Sequence, residues 1–333
     1  MIRGLSTLLR FTILLLTVTG FSGQLSANGH PLEVIEACLA LAVLKADPET
    51  TVEELRLVCE NSQPDLVQSR ALMERSAVSN PFVLLPHRPN YLIPISISDV
   101  DDRVYQDQLG NTGFDDIEAQ FQISIKYLAV QDFLSKEASL SLAFTTVSWW
   151  QSYNSNISAP FRETVYEPEM IWSFQKPWKI FDVPIEYSYL SLNHQSNGKS
   201  GALSRSWNRI IGGVVFEKNR IAWRAEAWVR VPEQAKEFPE SPKGDDNPDI
   251  EKFLGNIQLS ALWKLEDEQN LEIFIRNNLR RENKGSIEMG WSYPLTRRLR
   301  GYIQYFNGYG NGLIYYDNHS YRLGIGVKIT DWL

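Results

Sequence analysis

The segment Tyr321-Arg-Leu-Gly-Ile-Gly-Val-Lys-Ile-Thr330, near the C-terminal end of the chain, alternates large apolar residues with small or polar ones. Successive side chains of a β-strand point to opposite faces, so this two-residue period predicts a strand with one apolar and one polar face. A strand of this kind that runs almost to Leu333 is typical of the one that closes a membrane β-barrel, since closure leaves no unpaired sheet edge.

Similar segments recur from residue 80 onward. Twelve are predicted, an even number as bacterial barrels require, at 90–97, 118–128, 137–150, 163–175, 184–194, 205–217, 220–231, 255–265, 269–280, 284–293, 299–308 and 320–331. A tight turn at Lys218-Asn219 and a long connection from Pro232 to Glu251 suggest that the two barrel ends differ. We therefore expect an all-β fold, a twelve-stranded antiparallel transmembrane barrel over 80–333. A soluble β-sandwich enzyme fits the composition too and stays open as an alternative.

Residues 1–27 are typical of a secretory signal peptide. Arg3 and Arg10 precede the apolar run 11–18, which is too short to span a membrane, and small residues follow up to Ala27. The segment contains no acidic residue, so its removal takes the formal charge from −7 to −9 (−7 − 2 = −9). An acidic mature chain argues against a nucleic-acid partner. No later stretch reaches the roughly 18 consecutive apolar residues of a spanning helix.

Residues 28–79 predict a small periplasmic α-helical hairpin followed by a linker. Apolar residues recur at helical spacing over 31–46, and Thr51-Val-Glu-Glu54 is a capping box that opens a second helix. Cys38 and Cys59 lie at equal distances from the intervening turn, so an antiparallel hairpin would bring them together. In an oxidising periplasm we expect a disulfide, worth roughly 3 kcal/mol in the chain-entropy model. Two reduced, buried cysteines are the alternative.

The chemically most suggestive stretch is His194-Gln-Ser196-Asn-Gly-Lys-Ser, with Ser204-Arg-Ser-Trp-Asn208-Arg after a short loop. Residues i and i+2 of a strand share a face, so His194 and Ser196 project side by side, and the next strand can bring Asn208 beside them. A hydroxyl, a base and an orienting group are what acyl transfer by a serine nucleophile needs.

The neighbours of this trio are apolar. His194 and Ser196 share parity with Leu190 and Leu192, and Asn208 shares parity with Ile210 and other apolar residues. If this face packed against a core, the trio would be buried. If it faced lipid, the trio would open onto the membrane. We expect the second arrangement for a barrel.

Several blocks resemble the outer-membrane phospholipase A family. They are residues 80–82, 90–93, 148–151, 158–168, 193–199, 204–209 and 245–250, in order along the chain. The resemblance implies a barrel of the bacterial outer membrane that hydrolyses acyl esters of phospholipids, with phospholipase A1, phospholipase A2 and lysophospholipase activity. It makes Ser196 the nucleophile, His194 the general base and Asn208 the group that orients the imidazole.

The resemblance also implies calcium and a homodimer that controls activity. Calcium would be held by Ser204, by the backbone carbonyl of Lys199, by Asp246, and by Ser158 from a second copy, beside an oxyanion donor at the Gly198 N–H. Hard oxygen ligands of this kind suit Ca²⁺.

Two residues depart from the family pattern. Lys199 stands where the family often has arginine, and a backbone ligand tolerates that. Thr146 stands where well-known members place a glutamine that pairs across the dimer, so the strength of dimerisation is in question. Two other classes of function remain: an inactive or channel-forming barrel, and a soluble periplasmic esterase. The complete His194, Ser196 and Asn208 set argues against a channel, and outward-facing apolar rows would argue against a soluble esterase.

Overall fold

The computed structural model describes residues 82–99 and 113–331, apart from 176, 177, 219, 239, 240, 242 and 297, together with 101, 103–105 and parts of 39–74. The described residues form fifteen strands: β1 Leu85–Pro86, β2 Asn90–Ser98, β3 Ile117–Gln131, β4 Ala138–Trp150, β5 Phe161–Phe174, β6 Trp178–Ile180, β7 Val183–Ile185, β8 Tyr187–Ser196, β9 Ser206–Lys218, β10 Ile221–Arg230, β11 Ile257–Lys264, β12 Asn270–Asn277, β13 Gly285–Pro294, β14 Arg300–Tyr309 and β15 His319–Thr330.

Twelve of these strands close into one antiparallel barrel. Each strand pairs with the next along the chain, β5 pairs with β8, and β15 returns to pair with β2. The remaining strands are β1, which adds to β3, and the separate β6–β7 hairpin. The all-β class and the number of barrel strands are therefore confirmed, and each of the twelve predicted segments corresponds to one barrel strand.

The two faces of β15 have the polarity that the sequence predicted. Ile325 on the outer face is 58% exposed, whereas Lys328 and Arg322 are 0% and 1% exposed. Apolar residues thus point outward and charged residues point into the lumen. This distribution is the inverse of a soluble sandwich, whose apolar rows would face a core, and it is the one that a hydrocarbon environment favours.

Ion pairs occupy the lumen. Arg162 donates to both carboxylate oxygens of Glu118 at 2.9 and 2.6 Å, and Lys328 Nζ lies 2.5 Å from Glu272 Oε2. Buried charges are tolerated when they are paired, so these contacts let the barrel interior remain polar without a continuous apolar core.

The barrel has one end with short connections and one with long connections. β9 and β10 are joined by a tight turn after Lys218, whereas residues 231–256 join β10 to β11. The loops 151–160, 197–205, 231–256 and 310–318 all emerge at the second end, because the strands alternate in direction. The residues predicted to form the site lie at that end or in its loops.

The α-helices with described bounds are α1, Val52–Asn61, and α2, Ile250–Leu254. Three 3₁₀ helices with described bounds span Arg103–Tyr105, Ser155–Ile157 and Gly201–Leu203. The predicted capping box opens α1, with Thr51 N–H donating to Glu54 Oε2 at 2.9 Å and Glu54 N–H donating to Thr51 Oγ1 at 3.2 Å. Cys59 is buried, but Cys38 lies outside the described residues, so the disulfide stays a prediction. Within the described part of the chain, no helix combines the length and apolar character needed to cross a membrane.

Part of the segment interpreted as a linker contacts the barrel. Leu66 and Val67 are helical and pack in a buried apolar cluster with Val215, Ala222 and Leu262. The Val67 N–H donates to Glu217 Oε2 at 3.0 Å. These barrel residues lie at the end with short connections, so Leu66 and Val67 contact the barrel at that end. Nothing in the sequence predicted this contact.

Candidate active site

β8 and β9 bring two of the predicted catalytic residues into direct contact. His194 and Asn208 are paired across the antiparallel ladder, and His194 Nδ1 lies 2.8 Å from Asn208 Oδ1. β8 continues to Ser196, two residues beyond the predicted end, because the ladder extends to the pair of Ser196 and Ser206. His194 and Ser196 therefore both belong to the strand and lie on the same face.

That face is the outside of the barrel. Leu190 and Leu192, which share it, are 43% and 49% exposed, whereas Asn193 on the opposite face is 3% exposed. On β9, Trp207 and Arg209 are buried on the lumen side, which leaves Asn208 on the outer side. Of the two orientations that the sequence left open, the structure has the outward one.

The loop after Ser196 is held by a buried asparagine. The Asn197 carboxamide accepts from the Lys199 N–H at 3.2 Å and from the Arg205 N–H at 3.0 Å. It donates to the Leu203 carbonyl at 2.9 Å. One side chain thus bridges the loop that carries the predicted oxyanion donor and two predicted calcium ligands, Lys199 and Ser204. The role of Asn197 was not predicted, because a polar residue in a turn has no distinguishing sequence pattern.

Gly198 occupies a position that favours glycine. Its φ is +65°, in the left-handed region, and a Cβ there would lie 3.0 Å from Cε2 of Tyr166. Any other residue would be strained and would crowd the Tyr166 ring, which lies on the neighbouring strand opposite Ser196. Glycine therefore lets the backbone next to the predicted nucleophile adopt this conformation beside Tyr166.

Ser204 and Asp246, two of the predicted calcium ligands, are in contact. Ser204 Oγ donates to Asp246 Oδ2 at 2.8 Å, and Ser206 Oγ donates to the same atom at 3.1 Å. Lys236 Nζ lies 2.5 Å from the other oxygen, Oδ1. Partial burial raises the pKa of Asp246, but the hydrogen bonds from Lys236, Ser204 and Ser206 outweigh it, so the pKa lies below its ordinary value.

Asp246 reaches the strand because the long loop folds back. Arg230, at the end of β10, pairs with Asp245 and also donates to the Asn247 carbonyl at 3.0 Å. The Ser206 N–H donates to Asn247 Oδ1 at 3.0 Å. Since Ser206 is directly opposite Ser196, these contacts hold the Asp246 carboxylate beside the strand pair that carries the predicted nucleophile.

The donor set at this place fits a hard cation. Two hydroxyls and a carboxylate meet there, and the Lys199 carbonyl belongs to the adjacent ordered loop. Among the residues that the structure describes, no group of three or more His, Cys, Asp or Glu side chains could hold a metal ion. A cation here would therefore depend on hydroxyl and carbonyl oxygens as well as Asp246.

Ser158, the fourth predicted ligand, is placed elsewhere. It is exposed in the loop between β4 and β5, in a left-handed conformation with φ of 62°. No contact joins it to Ser204 or Asp246 within the described part of one chain. Its position agrees with the expectation that a second copy would supply this oxygen, and it does not test that expectation.

The structure adds one residue to the predicted trio. Asn208 Nδ2 donates to Glu233 Oε1 at 3.0 Å, so the amide has a partner on each side. Glu233 is half-buried in the long loop after β10. The sequence held no signal for this contact, since the two residues are 25 positions apart and the loop has no periodic pattern.

The chain is similar to known phospholipases. The family model described as Phospholipase A1 matches residues 67–329. The Phospholipase A1 of Escherichia coli K12 is 34% identical over 256 residues, covering 76% of this chain and 83% of that protein. The Phospholipase A1 of Proteus vulgaris is 32% identical over 252 residues, with coverage of 76% and 83%.

Solved structures give the same result. Outer membrane phospholipase A from Escherichia coli has a TM-score of 0.68 at 33% identity, covering 76% of this chain and 94% of that one. The Salmonella typhi outer membrane phospholipase dimer with bound calcium has a TM-score of 0.69 at 32% identity, with the same coverage. A further match of the same fold is an active-site mutant of the E. coli protein in which an asparagine is replaced by alanine.

Proposed function

Since this chain belongs to the phospholipase A1 family, we propose that it hydrolyses the acyl ester bonds of membrane phospholipids on the outer surface of its barrel, in the bacterial outer membrane. The observation that carries this proposal is the contact between His194 and Asn208 on the apolar outer face, with Ser196 two residues away. A lipid diffusing in the bilayer reaches that face without leaving the membrane.

The proposed reaction begins at Ser196. Its Oγ attacks the ester carbonyl carbon while the hydroxyl proton passes to His194 Nε2. His194 then returns this proton to the departing glycerol oxygen, which leaves an acyl group on Ser196. A water molecule, deprotonated by the same nitrogen, attacks the acyl carbon, and the proton passes to Ser196 Oγ as the fatty acid leaves. Phospholipase A1, phospholipase A2 and lysophospholipase activity are the same chemistry on different esters, and we propose all three.

Asn208 orients the imidazole of His194. Its Oδ1 accepts from Nδ1–H, which leaves the lone pair of Nε2 free to take the proton of Ser196. A neutral amide stabilises the imidazolium less than a carboxylate does, but it costs less to place on a lipid-facing strand. In a solved relative an asparagine of the active site is replaced by alanine, which supports including an asparagine in this site.

The oxyanion would be stabilised by the Gly198 N–H and by calcium. Ser204, Asp246 and the Lys199 carbonyl would hold the ion together with Ser158 of a second copy, which would make the homodimer the active form. When bound, calcium supplies positive charge next to the carbonyl oxygen as it becomes negative. The Salmonella typhi relative, a dimer with bound calcium, supports this assignment.

Calcium dependence is one expected result. We expect a chelator to abolish hydrolysis of phospholipid in detergent micelles, and Lys236→Met to tighten calcium binding by about 3- to 10-fold, because the ammonium no longer competes for Asp246 Oδ1. Isothermal titration calorimetry measures the affinity directly. Lys243→Met, on the same loop and exposed, makes the same charge change as a control. Unchanged calcium affinity in K236M would contradict the assignment of Asp246 as a calcium ligand.

Dimer strength is a second expected result. Thr146 lies on the outer face, and its hydroxyl is buried with no hydrogen-bond partner among the described residues. Thr146→Gln would supply a longer side chain that can donate and accept across a two-fold axis. We expect a dimer association constant higher by roughly 3- to 20-fold, from hydrogen bonds of about 0.6–1.7 kcal/mol in membranes. Sedimentation equilibrium in detergent measures it, with Thr146→Val as the control. Equal association of T146Q and T146V would contradict the proposed interface.

A further inference from the structure

We propose that Glu233 is a positioning residue that acts through Asn208 on His194 and so determines which nitrogen of the imidazole carries the proton. This inference rests on the proposed hydrolase function. It adds a fourth member, from the long loop after β10, to the His194, Ser196 and Asn208 set.

The first step concerns the direction of the Asn208 amide. A carboxamide has an oxygen that accepts and a nitrogen that donates, and rotation by half a turn exchanges them. Glu233, as a carboxylate, only accepts, so its Oε1 at 3.0 Å requires the Asn208 nitrogen on its side. The oxygen must then face His194, as it does at 2.8 Å.

The second step concerns the imidazole. An oxygen facing Nδ1 favours the tautomer with the proton on Nδ1, and that tautomer leaves Nε2 able to accept from the nucleophile. A rotated amide would instead present its N–H to Nδ1 and favour the proton on Nε2, where it blocks general-base catalysis. Glu233 therefore excludes the unproductive orientation of the Asn208 amide. An aspartate at position 208 would not need this control, because both of its side-chain oxygens accept.

The third step concerns charge. A carboxylate hydrogen-bonded to the amide polarises it, so that the oxygen facing the imidazole becomes more negative. The imidazolium formed during the reaction thereby gains some of the stabilisation that a neutral amide lacks. The carboxylate itself belongs to a loop beyond the end of β10 and not to the lipid-facing strand, where an ionised group is expensive.

Glu233 is held in place by its loop. The Val231 N–H donates to the Asn208 backbone carbonyl at 2.8 Å, and the Asp245 N–H donates to the Gln234 carbonyl at 2.8 Å. Backbone hydrogen bonds thus fix the chain on both sides of Glu233. The same loop carries Lys236 and Asp246, so the base and the proposed cation site are organised by one segment.

Three variants test the proposal on the full-length protein in detergent. Glu233→Leu removes the acceptor, and we expect kcat to fall on the order of 10- to 100-fold with little change in KM, since substrate binding is unaffected. Glu233→Gln keeps an acceptor without the charge, and we expect a smaller loss. Glu237→Leu, exposed on the same loop, makes the same charge change away from Asn208 and should behave as the wild type.

The decisive measurement repeats Glu233→Leu in an Asn208→Asp background. An aspartate accepts from Nδ1–H in either orientation and is repelled by Glu233, so we expect E233L to have no effect or to raise kcat there. A loss of similar size in both backgrounds would overturn the proposal, because it would mean that Glu233 supports only the loop. The rate at which a sulfonyl fluoride labels Ser196 gives a second readout and should follow kcat.

Failure of the inference and failure of the proposed function are distinguishable. If the wild type releases fatty acid but E233L matches it, Glu233 has no positioning role and the hydrolase stands. If the wild type releases none in the presence of calcium, and Ser196 is not labelled, the proposed function itself is wrong.

Discussion

Replacing Ser196 with alanine is expected to lower the rate of fatty-acid release from phospholipid micelles by at least about 10³-fold, since the hydroxyl on the same strand face as His194 is removed. The barrel should be unaffected, because Ser196 is half-buried on the outer face and a small residue replaces it. Release is measured by titration in detergent with calcium present. Heat-modifiable migration in electrophoresis checks that the variant is folded.

The control is Ser200→Ala, in the exposed part of the same loop, which should retain full activity. A sulfonyl fluoride should label the wild type and S200A but not S196A. Full activity in S196A would remove the nucleophile assignment, and with it the mechanism proposed for His194 and Asn208.

Breaking the lumen pair of Arg162 and Glu118 is expected to have the largest effect on stability. Both side chains are almost fully buried and joined by two hydrogen bonds at 2.9 and 2.6 Å. Arg162→Met would leave the buried Glu118 carboxylate without a countercharge, with only the Gln151 and Ser98 side chains donating to it, and we expect the free energy of unfolding to fall by about 3–5 kcal/mol. Urea titration of the protein in phospholipid vesicles, followed by tryptophan fluorescence, measures the change.

Removing both charges should lower the free energy of unfolding much less than removing one. In the double variant Arg162→Met with Glu118→Leu, no uncompensated charge remains, so we expect most of the lost stability to return. The exposed pair of Lys252 and Asp249, 3.9 Å apart, is the control, and Lys252→Met should change the free energy of unfolding by less than about 1 kcal/mol. Equal losses in R162M and the double variant would contradict this account of the lumen.

The sequence predicted the barrel strands well because their signal is local. Alternation over β15 needs only the period of an extended chain, and the structure has the expected outward Ile325 and inward Lys328. The predicted end of β8 was less accurate, because it was placed at residue 194, two residues before the observed end at Ser196. Strand ends depend on the neighbouring strand, in this case on the pairing of Ser196 with Ser206, which one segment alone does not encode.

The residues of the site likewise include some with a local signal in the sequence and some without one. Strand parity alone predicted that His194, Ser196 and Asn208 share one face, and the resemblance to a family added Ser204, Asp246 and the other proposed ligands. Asn197, Lys236 and Glu233 were not predicted. Each acts through a hydrogen bond or ion pair made by a loop, and polar residues in loops carry no periodic signal.

The sequence by itself determined that twelve strands alternate in polarity and that the serine, histidine and asparagine share the apolar side, since a two-residue period orients each side chain independently of distant residues. Only the tertiary structure decided what surrounds them. Asn208 meets Glu233 across 25 positions, Ser204 meets Asp246 across 42, and Val67 meets Glu217 across 150. Such contacts depend on where long connections fold back, which is set by the closed barrel and the hydrogen bonds that anchor each loop.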